Sequence, residues 1–441
     1  MSIKTAGYII LFNTIALCLC ACNAGTTSSE VALTDTKQDF GHSRKTVSHF
    51  DKSLVKNTFL RIQNFIADSN QSYQLYLPSD YDTLKSFPLL LFFDAHARGN
   101  LPLKKYKSLA DKFHFVFAGS NSIQNGMSPP EAQQRANELL KDLIERVNIN
   151  PQLIFVSGFS GGAKVACTFA FTNSAIRGVI ACAAPFTEQL NAVANHPELF
   201  LIAGNQDFNM LGIVQADLNL SNAGFNHQLY VVDGKHEWPD EKFFDRALLW
   251  LQLQAEKNGL TGKTYLTNEL PDFNDWYKSR VTDAIILKQE NEEQNEMKQQ
   301  FVNGDLSYWN KIISSLNEKK ISGYPSSIRY LAIRELNFIS MMGYVYTEAA
   351  LNEHNLPAAA HYLKIYESVD PINPDVWYLK AIYSALAGDQ NESVSLLSKA
   401  AKLGFADIDK LKDEKIFSSF QHSKKFQDLV YNPVLLNSEK F

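Results

Sequence analysis

Three side chains in this sequence have the types that nucleophilic attack on an acyl carbon requires. Ser160 sits in Gly158-Phe159-Ser160-Gly161-Gly162, a match to G-x-S-x-G. A serine hydroxyl is a weak nucleophile until a base takes its proton, and that base needs an acid to orient it. Asp207, in LFLIAGNQDFN, and His236, in LYVVDGKHEWP, supply the two types. The gaps are 47 and then 29 residues, room for two helix–strand steps and then one. Ser, acid, His is also an established chain order for a catalytic triad. The five-residue pattern alone is weak, because Gly and Ser are common, and its plain alternative is a structural Gly-rich turn.

A scaffold has to bring these residues together, and the apolar patterning describes one. SYQLYLP alternates apolar and polar residues and reads as a half-buried strand. FPLLLFF (about 87–93) and FHFVFAG (113–119) are continuous apolar runs, suited to strands covered on both faces. QLIFVSG (152–158), GVIACAA (178–184), LFLIAG (199–204) and QLYVVDG (228–234) continue the series. Between them lie helical stretches, such as EAQQRANELLKDLIERV after Pro129-Pro130. Strands alternating with helices predict an α/β fold with a mostly parallel sheet and helices on both faces. The serine motif follows the strand LIFVS and precedes the helical AKVACTFAF. Small flanking residues let so sharp a turn form, and the helix N-terminus adds partial positive charge beside it. Asp207 and His236 each fall just past a strand's end. Asp233 precedes His236 too closely to reach round to its ring easily, and stands as the first alternative acid. Asp217 falls in a helical stretch, and His227 precedes the last strand.

An acyl-transfer site also needs two backbone N–H groups aimed at the developing oxyanion. Gly161, directly after the nucleophile, is one candidate donor. The other is expected from the loop Asp94-Ala95-His96-Ala97-Arg98-Gly99, through Ala95 or His96. The His96 side chain serves equally well as a loop residue bonding neighbouring backbone. No metal-ligand pattern of the C-x-x-C kind occurs after residue 22, and no cofactor is implied. Cys167 and Cys182 read as two small buried thiols, or as a disulfide if the compartment is oxidising.

Residues about 60–255 resemble an α/β-hydrolase. The similar group is the esterases that include polyhydroxybutyrate depolymerase-like, feruloyl-esterase-like and dienelactone-hydrolase-like proteins. The matching pieces are YQLYLPSDYD, LLLFFDAHARG, GFSGG, GNQDFN and GKHEWP. The resemblance implies Ser160 as nucleophile, His236 as base and Asp207 as orienting acid. It implies an acyl-serine intermediate and a small-molecule or polysaccharide-linked ester as substrate. Many relatives carry His-Gly in the oxyanion loop where this chain has His96-Ala97, which leaves the second donor open. A serine-peptidase branch shares the fold and triad, so the motifs leave ester or amide open.

The two ends of the 441-residue chain read differently from this body. Lys4 followed by AGYIILFNTIALCLCA has the charged start, apolar centre and small-residue end of a secretory signal. Leu19-Cys20-Ala21-Cys22 resembles a bacterial lipobox, which implies lipidation of Cys22 and a membrane-anchored lipoprotein of the cell envelope, periplasmic or surface-exposed. A plain cleaved signal peptide is the alternative. The expected layout is therefore a signal over 1–22, a polar flexible tether over 23–50, the hydrolase body over 51–258 and a helical domain over 259–441. In that last part PSSIRYLAIRELNFISMMGYVYTEAALNE is one long helical pattern. Trp377, Ala381, Gly388-Asp389, Ser393, Leu397 and Ala400 then fall at the spacing of a tetratricopeptide repeat, with a period of about 34. The resemblance is to a degenerate repeat pair that offers a protein or peptide partner a concave face, with a plain helical bundle as the alternative. The net charge of -5 supplies no basic field, so no nucleic-acid partner is expected. Against the enzyme stands one rival: a non-catalytic surface lipoprotein that binds a partner through its helices.

Overall fold

The apolar runs of the N-terminal part pair into a single eight-stranded sheet. The computed structural model describes residues 50–51, 53–63, 71–186, 188–261, 284–405, 411 and 414–431. The strands are β1 (Phe59–Gln63), β2 (Ser72–Tyr76), β3 (Phe87–Asp94), β4 (Val116–Ser120), β5 (Ile149–Phe159), β6 (Ile176–Cys182), β7 (Glu198–Gly204) and β8 (His227–Val232). Their order across the sheet is β1-β2-β4-β3-β5-β6-β7-β8. β1 and β2 run antiparallel to their neighbours, while β4, β3, β5, β6 and β7 run parallel in sequence. This mostly parallel arrangement is the α/β-hydrolase fold.

Parallel neighbours need crossover connections, and helices supply them. They are α1 (Asn100–Lys105), α2 (Lys107–Phe113), α3 (Pro129–Arg146), α4 (Gly161–Thr172), α5 (Met210–Asn222) and α6 (Glu241–Lys257). The start signal at Pro129 works as its sequence suggests: Ser128 caps α3 by accepting from Glu131 N at 3.4 Å. Leu89 to Phe93, Val116 to Ala118 and Ile154 to Val156 are almost wholly buried, which is why these strands read as unbroken apolar runs. β1 was not among the expected strands. Its FLRIQ is half exposed at the sheet edge, too polar and too short to carry a pattern. Cys167 and Cys182 are buried free thiols, and burial pushes both well above the usual thiol range. They pack as small core residues and form no disulfide.

The C-terminal part is helical among the described residues. It contains α7 (Ala284–Asn303), α8 (Leu306–Lys319), α9 (Ser326–Asn352), α10 (Leu356–Val369), α11 (Pro374–Leu386), α12 (Gln390–Lys402) and α13 (Lys424–Tyr431). Asn355, Asn373 and Asp389 cap α10, α11 and α12 through their side chains, so each helix start is fixed by a residue that would compete with a helix interior. One core cluster joins Met297, Phe301, Trp309, Ile339 and Met342, and a second joins Leu363, Tyr378, Leu397 and Phe417.

The chain divides into two compact units. One holds the described residues of Met1–Ile202, Gly212–Tyr230 and Glu237–Phe273; the other holds those of Ala203–Leu211, Val231–His236 and Asn274–Phe441. Two loops of the α/β stretch, at the ends of β7 and β8, therefore group with the helices.

Candidate active site

Ser160 stands between the end of β5 and the start of α4, at φ 54 and ψ -122. That left-handed backbone is strained for a residue with a side chain, and such strain of about 1–3 kcal/mol persists only where surroundings impose it. Here the imposing contacts are backbone. Ser160 N donates to Cys182 O at 2.9 Å, and Ser160 O accepts from Ala163 N at 3.0 Å. The two flanking glycines are needed for close approach. A Cβ on Gly158 would overlap the Gly162 carbonyl, and a Cβ on Gly162 would overlap the Phe93 carbonyl. The motif thus lets the elbow pack directly on itself and on the end of β3. Gly161, the first residue of α4, has its N–H among those a helix leaves without an intrahelical acceptor.

The loop after β3 is organised by a residue that sequence reasoning passed over. Asp94 has a fully buried side chain that accepts from His96 N (2.9 Å), Arg98 Nε (2.8 Å), Arg98 Nη2 (3.1 Å) and Trp238 Nε1 (2.8 Å). Burial alone would raise its pKa, but the Arg98 bonds and charge, with those to Trp238 and His96, hold it below the usual carboxylate value. The Trp238 ring packs 5.6 Å from Phe159, the residue before the serine. The His96 amide is therefore committed to Asp94. Ala95 O accepts from Asn125 N at 2.8 Å, and the Asn125 amide oxygen lies against Gly161. Ala97 adopts φ 57. Beside Asn125 opens a polar cavity of about 500 Å³ lined by Asn121, Ser122, Gln124, Asn125, Glu131 and Arg135 among others.

In the other unit, Asp207 and His236 meet as the sequence predicts. His236 Nδ1 lies 3.0 and 3.1 Å from the two Asp207 oxygens. An ionised carboxylate only accepts, so the Nδ1 proton points to Asp207. Asp207 is wholly buried, and its Oδ1 also accepts from Asn209 N at 2.8 Å. The Phe208 ring lies 4.3 Å from the His236 ring. The competitors are engaged elsewhere. Asp233 accepts from the side chains of Asn205 and Gln206, and Asp217 on α5 pairs with His227 at 3.1 Å. Cys22 and the lipobox-like segment lie outside the described residues. Among the described residues no His, Cys, Asp and Glu cluster is arranged to hold a metal, and no helix there is long and apolar enough to cross a membrane.

No protein-family model matches the chain, and neither does any curated protein. Solved structures similar to part of it include an S-formylglutathione hydrolase from Staphylococcus aureus, 16% identical at a TM-score of 0.38 over 44% of this chain and 95% of that one. An esterase B from Lactobacillus rhamnosis is 14% identical at a TM-score of 0.39, over 47% of this chain and 92% of that one. A ferulic acid esterase is 16% identical at a TM-score of 0.35, over 44% and 94%.

Proposed function

We propose that the protein is a serine hydrolase that cleaves a carboxylic ester through an acyl-serine intermediate, with Ser160, His236 and Asp207 as its triad. The observation that carries this reading is the buried Asp207 paired with His236 Nδ1, on loops that follow β7 and β8. It is supported by the strained Ser160 turn between β5 and α4. With Nδ1 held, Nε2 is the nitrogen that takes the Ser160 proton as Oγ attacks the acyl carbon. The same imidazolium then gives that proton to the leaving alcohol. Water, deprotonated by His236, attacks the acyl-serine and releases the acid. The oxyanion donors are the N–H groups of Gly161 and Ala95, because the His96 N–H is already given to Asp94. A fluorophosphonate probe should label the full-length protein and fail on Ser160→Ala. Lack of wild-type labelling together with no hydrolysis of p-nitrophenyl acetate would leave the partner-binding scaffold as the better reading.

Two further parts of the reading concern the ends of the chain. The lipobox-like Leu19-Cys20-Ala21-Cys22 supports a lipidated Cys22 and an envelope location, and Cys22→Ala should then release the protein from membranes. Membrane fractionation that stays the same would discard the anchor. The capped hairpins of α10 to α12 support a tetratricopeptide-like pair that receives a protein or peptide.

A further inference from the structure

The loop that carries Asp207 is held from two sides. Its amides face the histidine loop: Asn205 N donates to Val232 O at 2.8 Å and Gln206 N to Gly234 O at 3.0 Å. Its carbonyls face α9. Arg334 Nη1 donates to Asn205 O at 3.0 Å, and Asn337 Nδ2 donates to Gln206 O at 2.9 Å. Arg334 and Asn337 are three residues apart, so they share one helix face. Arg334 is itself fixed, because Glu290 on α7 accepts from its Nε at 2.8 Å and its Nη2 at 2.6 Å, and both side chains are buried. Next to Asp207 in the chain, Phe208 packs against the cluster that holds Met297, Trp309 and Ile339. A buried ion pair is a poor device for stability alone, since apolar side chains of equal volume often do as well. Apolar side chains cannot, however, donate to two adjacent carbonyls.

The structure assigns to Arg334 and Asn337 the role of positioning residues for the catalytic acid, so that α9 is a working support of the Asp207–His236 pair. This inference rests on the triad reading above. Neither residue touches substrate. Each acts by fixing the backbone of residues 205 and 206, and through it the Asp207 carboxylate against His236. Their loss lets that carboxylate drift from the ring, which weakens the stabilisation of the imidazolium in the transition state while leaving substrate binding alone.

The test uses the full-length chain with Asn337→Leu, close in size but without the donor, and Arg334→Lys, which keeps the charge but not the fork. Steady-state hydrolysis of p-nitrophenyl acetate is followed across pH, with fluorophosphonate labelling of Ser160 and thermal melting as controls. Asn337→Leu is expected to lower kcat by about 10-fold to 100-fold with KM within about 2-fold. The acid limb of kcat/KM, which reports the base of the free enzyme, is expected to move down by about 0.5–1 pH unit as the carboxylate retreats. Arg334→Lys is expected to do the same to a smaller extent. If Asn337→Leu does not fold, the decision passes to Arg334→Lys. Folded variants with unchanged kcat and an unmoved acid limb, in a protein whose wild type labels at Ser160, overturn the inference alone. A wild type that neither labels nor hydrolyses overturns the triad reading and this inference with it.

Discussion

Ser160 and the Asp207–His236 pair are held by different means. Around Ser160 the work is done by backbone and by absent side chains: two glycines, a carbonyl from β6 and the turn into α4 lie within the motif or one strand away. Around Asp207 it is done by long side chains from far along the chain, Arg334 and Asn337, and by an aromatic seat for Phe208. The first arrangement is rigid because nothing in it has rotamers to lose. The second is tunable, because side chains on a helix can shift with what that helix packs against. Tight local turns therefore specify themselves, whereas an acid and a base can be handed to another part of the protein for support.

The sharpest way to test this contrast is to remove each member in turn. Ser160→Ala should abolish labelling and lower kcat by about 10⁴-fold or more, and His236→Ala should match it. The double variant should be little worse than either, since residues acting as a unit do not add. Asp207→Asn comes next, at about 10³-fold to 10⁴-fold, because the wrong imidazole tautomer is then favoured. Near-normal turnover in that variant would move the acid elsewhere and remove the comparison's second half.

Asp94→Asn should cost less, about 10-fold to 100-fold in kcat, by loosening the loop that carries the Ala95 amide. It should also cost about 1–3 kcal/mol of stability at neutral pH, as a buried carboxylate with three partner residues is broken. The pH dependence has a definite sign. Asp94 lies below its ordinary value in the folded state, so its contribution is complete above a pH of about 4 and is lost as pH falls through the lower folded value. Chemical denaturation of wild type and variant at pH 7 and pH 3 should show their difference shrinking at pH 3; a constant difference would contradict this. Ala97→Gly is the smallest expected effect. It relieves the φ of 57 and should raise stability by at most about 1 kcal/mol, with kcat within about 2-fold. A clear loss of stability would show that the loop gains from the Ala97 methyl.

The readable parts of this molecule were those built locally. Continuous apolar runs identified β3 and β4, strand-like runs identified β5 to β8, and the spacing of G-x-S-x-G identified the elbow, because each is encoded within a few residues. The pairing of Asp207 with His236 was legible because both lie one loop beyond a strand, and a parallel sheet gives every such loop the same outlet. Asp94 was visible in DAHAR but its function was not, since its partner Trp238 stands 144 residues away. Arg334 and Asn337 lie inside a long amphipathic helix where an arginine and an asparagine look like ordinary solvent-facing residues. Only the fold shows that Arg334 is buried. The engagement of the His96 amide by Asp94, two residues before it, has the spacing of an Asx-turn and was open to reading from the sequence.

The 129 residues that separate Asn205 from Arg334 also set a clock. A ribosome adds about 5–20 residues per second. The loop bearing Asp207 thus leaves the ribosome on the order of ten seconds before the helix that receives its carbonyls. During that interval the Ser160 turn can already form from its own backbone, while the Asp207 loop has only the loop after β8 to hold it. Contacts of such sequence separation form late, because loop closure has to precede them. Full hydrolytic competence should accordingly appear at the end of synthesis rather than with the sheet, because a nascent chain arrested before α9 would carry a formed serine turn and an Asp207 loop held only on its amide side.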